Sequence, residues 1–81
     1  MGKLRILSPD GDRQIVWDQE RVEAGELDAA EALREAERIF EEQRSRGATA
    51  FRVARGAPAE LLKEFDPTAD QVVMVPRVVG G

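Results

Sequence analysis

Lys3-Leu4-Arg5-Ile6-Leu7 sets apolar residues between charged ones with a period of two, the pattern of a strand with one buried face. Ser8-Pro9-Asp10-Gly11-Asp12 follows as a turn, in which Pro9 presets φ, Asp10 bonds its own backbone and Gly11 accepts a positive φ. Arg13-Gln14-Ile15-Val16-Trp17-Asp18 reads as the returning strand, and two strands this close predict an antiparallel hairpin. Leu4 and Ile6 then share a face with Ile15 and Trp17, or with Val16 if the register slips by one residue.

After a polar connector from Gln19 to Glu26, the period changes from two to that of a helix. Ala29, Leu33, Ala36 and Phe40 recur at i, i+4, i+7 and i+11, and Ala32 and Ile39 widen the stripe. Asp28-Ala29-Ala30-Glu31 has capping-box spacing at the start, and Gly47 stands where a helix takes its left-handed C′ residue. Glu31/Arg34, Glu35/Arg38 and Glu42/Arg46 lace the opposite face, and Arg44 and Arg46 complement the dipole at the last turn.

Ala48 to Arg55 reads as a third strand, with Phe51 and Val53 on one face and Arg52 on the other. Gly56-Ala57-Pro58 breaks it, and Ala59 to Phe65 predicts a short helix with Pro58 at its start. Asp66 to Asp70 is a further turn. Gln71-Val72-Val73-Met74-Val75 predicts a central strand whose pairing ends at Pro76.

Composition narrows the function classes. The 81 residues suffice for one small domain, which buries only about 60–65% of its unfolded surface and has little room for a catalytic pocket. The chain has no cysteine and no histidine, so it has no thiolate nucleophile, no disulfide framework and neither of the commonest transition-metal ligands. No nucleophile–base pair stands out, and intrinsic enzyme activity is not expected. The acid pairs Asp10/Asp12 and Glu41/Glu42 read as turn chemistry and a solvated helix face rather than as a metal site, and no cofactor is implied.

The net charge is −4, with seven acids against four arginines over residues 26–47, and no basic stripe forms. Nucleic acid and anionic membrane are therefore unexpected partners, and a protein partner fits better. Without an apolar leader or a run of membrane-spanning length, the expectation is a cytoplasmic protein, monomeric when free.

The predicted order is β-hairpin, long helix, strand, short helix, strand. This is an α+β arrangement with a mixed sheet packed on one helix. It resembles the β-grasp fold of ubiquitin, with the first and last strands adjacent and parallel at the centre. The final stretch, Asp70-Gln71-Val72-Val73-Met74-Val75-Pro76-Arg77-Val78-Val79-Gly80-Gly81, is similar to that of the small sulfur-carrier subunits of molybdopterin and thiamine biosynthesis. Arg77 replaces the second proline of those carriers and Val79 their usual small residue; an arginine near the tail is closer to ubiquitin.

The resemblance implies a β-grasp domain over residues 1–76 and a flexible diglycine tail over residues 77–81. A partner adenylating enzyme would activate the carboxylate of Gly81, and Gly80 and Gly81, lacking Cβ atoms, would thread that enzyme's channel. Sulfur transfer and conjugation to another protein both remain open under this reading. The alternative is a non-catalytic β-grasp binding module or accessory subunit in which the Gly-Gly pair is incidental.

Arg77, Val78 and Val79 would meet the partner next to the tail. Arg52 and Met74 are candidates for the open sheet face, where Ala50, Lys3 and Arg5 would be joined by Val72 and Met74 or by Val73 and Val75. Trp17 reads as a core residue packed on the helix rather than as a binding anchor.

Overall fold

The computed structural model of the chain describes residues 1–9 and 11–77. Five strands and two helices follow one another as β1 (Gly2–Ile6), β2 (Arg13–Trp17), α1 (Gln19–Glu23), α2 (Leu27–Ser45), β3 (Thr49–Val53), β4 (Glu60–Leu62) and β5 (Gln71–Val75). The strands form one mixed sheet in the order β2-β1-β5-β3-β4, so the first and last strands are central neighbours. They run parallel, with Leu4 opposite Val72 and Ile6 opposite Met74, and every other pairing is antiparallel.

Helix α2 covers one face of this sheet. Leu4, Ile6, Trp17, Ala50, Val72 and Met74 point towards Ala36, Ile39 and Phe40, and together they form the core. The hairpin takes the unslipped register, Leu4 opposite Ile15 and Gly2 opposite Trp17, because only that register puts Leu4, Ile6, Ile15 and Trp17 beneath the helix. Trp17 is a core residue. Its indole Nε1–H donates to the Pro67 carbonyl at 2.9 Å, and its ring meets Phe65 at 5.3 Å between centroids. Phe65 in turn packs edge-on against Phe40 at 5.5 Å.

Three expectations change. The connector after the hairpin is partly helical: Asp18 caps α1, its Oδ1 accepting from the backbone N–H groups of Glu20 and Arg21. The start of α2 lies earlier than the Asp28 box. Arg21 reaches from α1 to Glu26 at 3.0 Å and Asp28 at 2.7 Å, which draws Asp28 into the first turn, and Glu26 is the N-cap, though its side chain makes no capping hydrogen bond to the helix backbone. Arg21 is held charged more firmly than usual, chiefly by the hydrogen bonds it donates to Glu26 and then by those to Asp28.

The third change concerns residues 59–65, where the expected short helix is replaced by strand β4. Its residues are good helix formers, but the outer backbone groups of β3 need partners, and β4 supplies them with Leu62 opposite Ala50 and Leu61 opposite Phe51. Leu62 packs on the core, and Glu60 binds Arg52 at 3.0 Å. A one-turn helix would leave both the sheet edge and the side of the core open.

Asp10 and the tail residues Val78, Val79, Gly80 and Gly81 lie outside the described residues. Among the described residues, no helix is long and apolar enough to cross a membrane.

Candidate docking face and tail root

Because side chains alternate along each strand, the residues turned away from α2 follow from the register. One row crosses all five strands as Gln14, Arg5, Val73, Phe51 and Leu61. A second holds Val16, Lys3, Gln71 and Val53, and Val75 beside Thr49 ends the face. None of these positions is acidic, in a chain with 16 acids to 12 bases. The apolar members are contiguous at the centre, where Phe51 and Val73 are half-buried and Leu61 is 60% exposed at the edge. Arg5 pairs with Asp12 from the turn, which fixes its head at the rim.

The sequence pattern inverts β3. Ala50 and Arg52 face the helix side, while Phe51 and Val53 stand on the open face. Ala50 is completely buried beneath the helix, where its small side chain leaves room for the bulky Ile39 and Phe40. Arg52 therefore does not belong to the docking face. Its guanidinium is shared between Glu60 at 3.0 Å and Asp66 at 3.2 Å, at the margin of the core. Met74 is corrected in the same way: it is completely buried with Val72, and Val73 and Val75 are the outward pair. Phe51 and Leu61 were missed. The run of outward apolar residues on two adjacent strands was the only signal for them, and it needed the pairing of β3 with β4 to be read.

The Asp66 carboxyl ties the β3–β4 end to the segment under Trp17. It accepts from the Thr68 hydroxyl at 2.6 Å and the Thr68 backbone N–H at 2.9 Å, as well as from Arg52. These bonds, that from the Thr68 hydroxyl first, hold Asp66 below the usual carboxylate range. A carboxyl with a folded pKa below its unfolded value contributes stability that is present above the unfolded value, near 3.8, and is lost as pH falls through the folded one. Thr68→Val is expected to raise the Asp66 pKa and to flatten the loss of stability between about pH 5 and pH 2. Urea titrations across that range, with carbon-detected NMR of the Asp66 carboxyl, measure both.

At the other end of the sheet, β5 runs out past the C-terminus of α2. Gly47 takes φ +93°, its N–H donates to the Arg44 carbonyl at 2.9 Å, and the Ala48 N–H donates to the Gln43 carbonyl at 3.0 Å. Pro76 and Gln43 line a cavity of about 430 Å³ with Ile6, Leu7 and the residues around the hairpin turn. Arg77 lies exposed beside Gly47, its aliphatic stem against the glycine. The expected roles of Val78, Val79, Gly80 and Gly81 fall on residues outside the described ones. Among the described residues, no cluster of three or more acids is placed to hold a metal ion.

Comparison of the chain with protein-family models, with curated proteins and with solved structures gave no match. The functional reading therefore rests on residues and geometry.

Proposed function

We propose that this chain is a β-grasp protein that works as a ubiquitin-like carrier or modifier, docking a partner enzyme on its open sheet face and delivering Gly81 to it. The observation that carries the reading is the sheet itself. Parallel β1 and β5 lie at the centre of the order β2-β1-β5-β3-β4, one helix covers one face, and the other face is apolar at its centre with no acid among its strand positions. A face of this kind suits a protein partner with apolar anchors and an acidic rim, which Lys3 would attract.

The chain supplies no chemistry of its own in this reading. The partner joins the Gly81 carboxylate to the α-phosphate of a nucleoside triphosphate, releasing pyrophosphate. A thiolate of the partner then attacks the acyl adenylate, the nucleoside monophosphate leaves and a thioester forms. A persulfide of the partner gives an acyl disulfide instead, and a second partner thiol cleaves its S–S bond, forming a disulfide in the partner and releasing the thiocarboxylate at Gly81. The Gly80-Gly81 pair offers no Cβ to obstruct a narrow channel.

Binding without activation is the second reading, and the open face favours it equally because docking there needs no reaction at Gly81. Mass spectrometry of the protein from its native host separates the two. Sulfur in place of a carboxylate oxygen at Gly81, or Gly81 linked to another protein's lysine, is the outcome expected for a carrier or modifier. Recovery only as an unmodified chain, beside a stoichiometric partner, would reject the carrier reading and leave the binding module.

A further inference from the structure

We infer that Gly47 and Arg77 form a positioning pair that seats the root of the tail on the C-terminal end of α2. The functional consequence rests on the carrier reading above; the seat itself does not. A Cβ placed on Gly47 would fall 3.1 Å from Arg77 Cδ, 3.6 Å from its Cβ and 3.9 Å from its Cγ. The space that a side chain would take at position 47 is thus filled by the arginine stem. Gly47 meets two demands at once: a left-handed C′ conformation that closes the helix, and a bare Cα over which a neighbouring chain can lie.

The preceding residue also lies near this end of the helix. Pro76 shares the wall of the 430 Å³ cavity with Gln43, one helical turn before Gly47, so residues 76 and 77 both follow the end of α2. Proline at 76 fixes its own φ, which limits the directions in which the chain can leave β5. The Arg77 stem thus lies beside the C-terminal, negative end of the helix dipole. Among the described residues no carboxylate pairs with the Arg77 head, so seating the stem leaves the guanidinium free for a partner.

Arg77 therefore has two separable parts. Its stem is spent within the chain, setting the point from which the tail departs, and its charge remains for recognition. Arg77 is a positioning residue in this account, and Gly47, 30 positions earlier in the sequence, belongs to the same device.

The absence of cysteine permits a direct test on the whole protein. A nitroxide attached at Val79→Cys broadens amide signals near the tail, and Gly47 Hα to Arg77 Hδ cross-peaks report the seat itself. The expected result is a cross-peak in the wild type, with broadening concentrated on residues 43–48 and the hairpin turn. Gly47→Asn tolerates the left-handed conformation yet fills the seat, so it should lose the cross-peak and spread the broadening. Arg77→Ala should do the same without touching the helix end, and covers the case in which the Asn variant does not fold. Arg77→Met keeps the stem and should retain the localised pattern.

An unaltered broadening pattern in Arg77→Ala, or a pattern in Arg77→Met as diffuse as in Arg77→Ala, would overturn the inference. These measurements need no partner. A seat that holds in a protein whose Gly81 is found only unmodified would refute the carrier reading and leave the seat standing.

Discussion

Met74→Asp is expected to abolish folding, whereas Val73→Asp one residue earlier is expected to leave the domain folded. Met74 is completely buried between Ala50 and Ile6 on the helix side of the sheet. Truncating a buried methionine costs about 2–5 kcal/mol, and an aspartate there must also stay protonated or carry an unpaired charge into the core. A chain of 81 residues has a total stability of roughly 4–12 kcal/mol, so the two penalties together consume most or all of it.

Val73 faces the other way. Its neighbour on β1 is Arg5, already paired with Asp12, and a carboxylate at this half-buried position keeps contact with water beside a cation. The loss is then that of an apolar side chain on a half-buried surface, about 1 kcal/mol. Urea titration followed by the fluorescence of Trp17, the single and buried tryptophan, gives both values. Equal losses in the two variants would mean that β5 does not have this register. Val73→Asp also carries a functional consequence under the docking proposal: a folded protein whose open face has lost its apolar centre should no longer bind.

The second large effect is expected at Gly2. A Cβ added there would lie 2.6 Å from Trp17 Nε1 and closer still to the adjoining ring carbons. The indole cannot retreat without giving up its hydrogen bond to the Pro67 carbonyl and its contact with Phe65. Overpacking costs about 1–3 kcal/mol and the lost hydrogen bond about 1 kcal/mol more, so Gly2→Ala should destabilise by about 3 kcal/mol, a severe effect for a single methyl group.

Trp17→Phe removes the atoms that crowd the glycine, at a cost of its own. The double variant Gly2→Ala/Trp17→Phe should therefore be more stable than the sum of the single effects allows, by about 1 kcal/mol or more. Thermal unfolding followed by circular dichroism measures the cycle, and strict additivity would show that Gly2 is not where it touches Trp17. This coupling also explains why β1 opens with a glycine, a poor strand former: the position lies directly beneath the largest side chain in the core.

What was legible in the sequence was whatever a local period or a turn could encode. The hairpin followed from two short apolar patterns around Pro9 and Gly11, and helix α2 followed from a stripe ending in Ile39 and Phe40 with Gly47 behind it. The parallel pairing of β1 with β5 came from the resemblance, and the sheet order agrees with it. Local propensity misled at residues 59–65, whose helix formers yield to the unpaired edge of β3. It misleads again at β3, where the pattern offers Ala50 and Arg52 for the open face and so turns Phe51 and Val53 away from it. Beneath α2 the space left by Ile39 and Phe40 admits only Ala50, and Phe51 goes outside to meet Leu61 and Val73.

By itself, then, the sequence determined the hairpin, the long helix, the last strand, the α+β class and the lack of thiol and imidazole groups in this chain, because each is written in a residue type or in a spacing of a few positions. The tertiary structure alone decided which faces of β3 and β5 are core, that Phe51, Leu61 and Val73 meet on the open face, and that Arg77 rests on Gly47. Those features join residues far apart in the chain, and they are set by the volume left under one helix and by the backbone groups that each strand leaves to be paired.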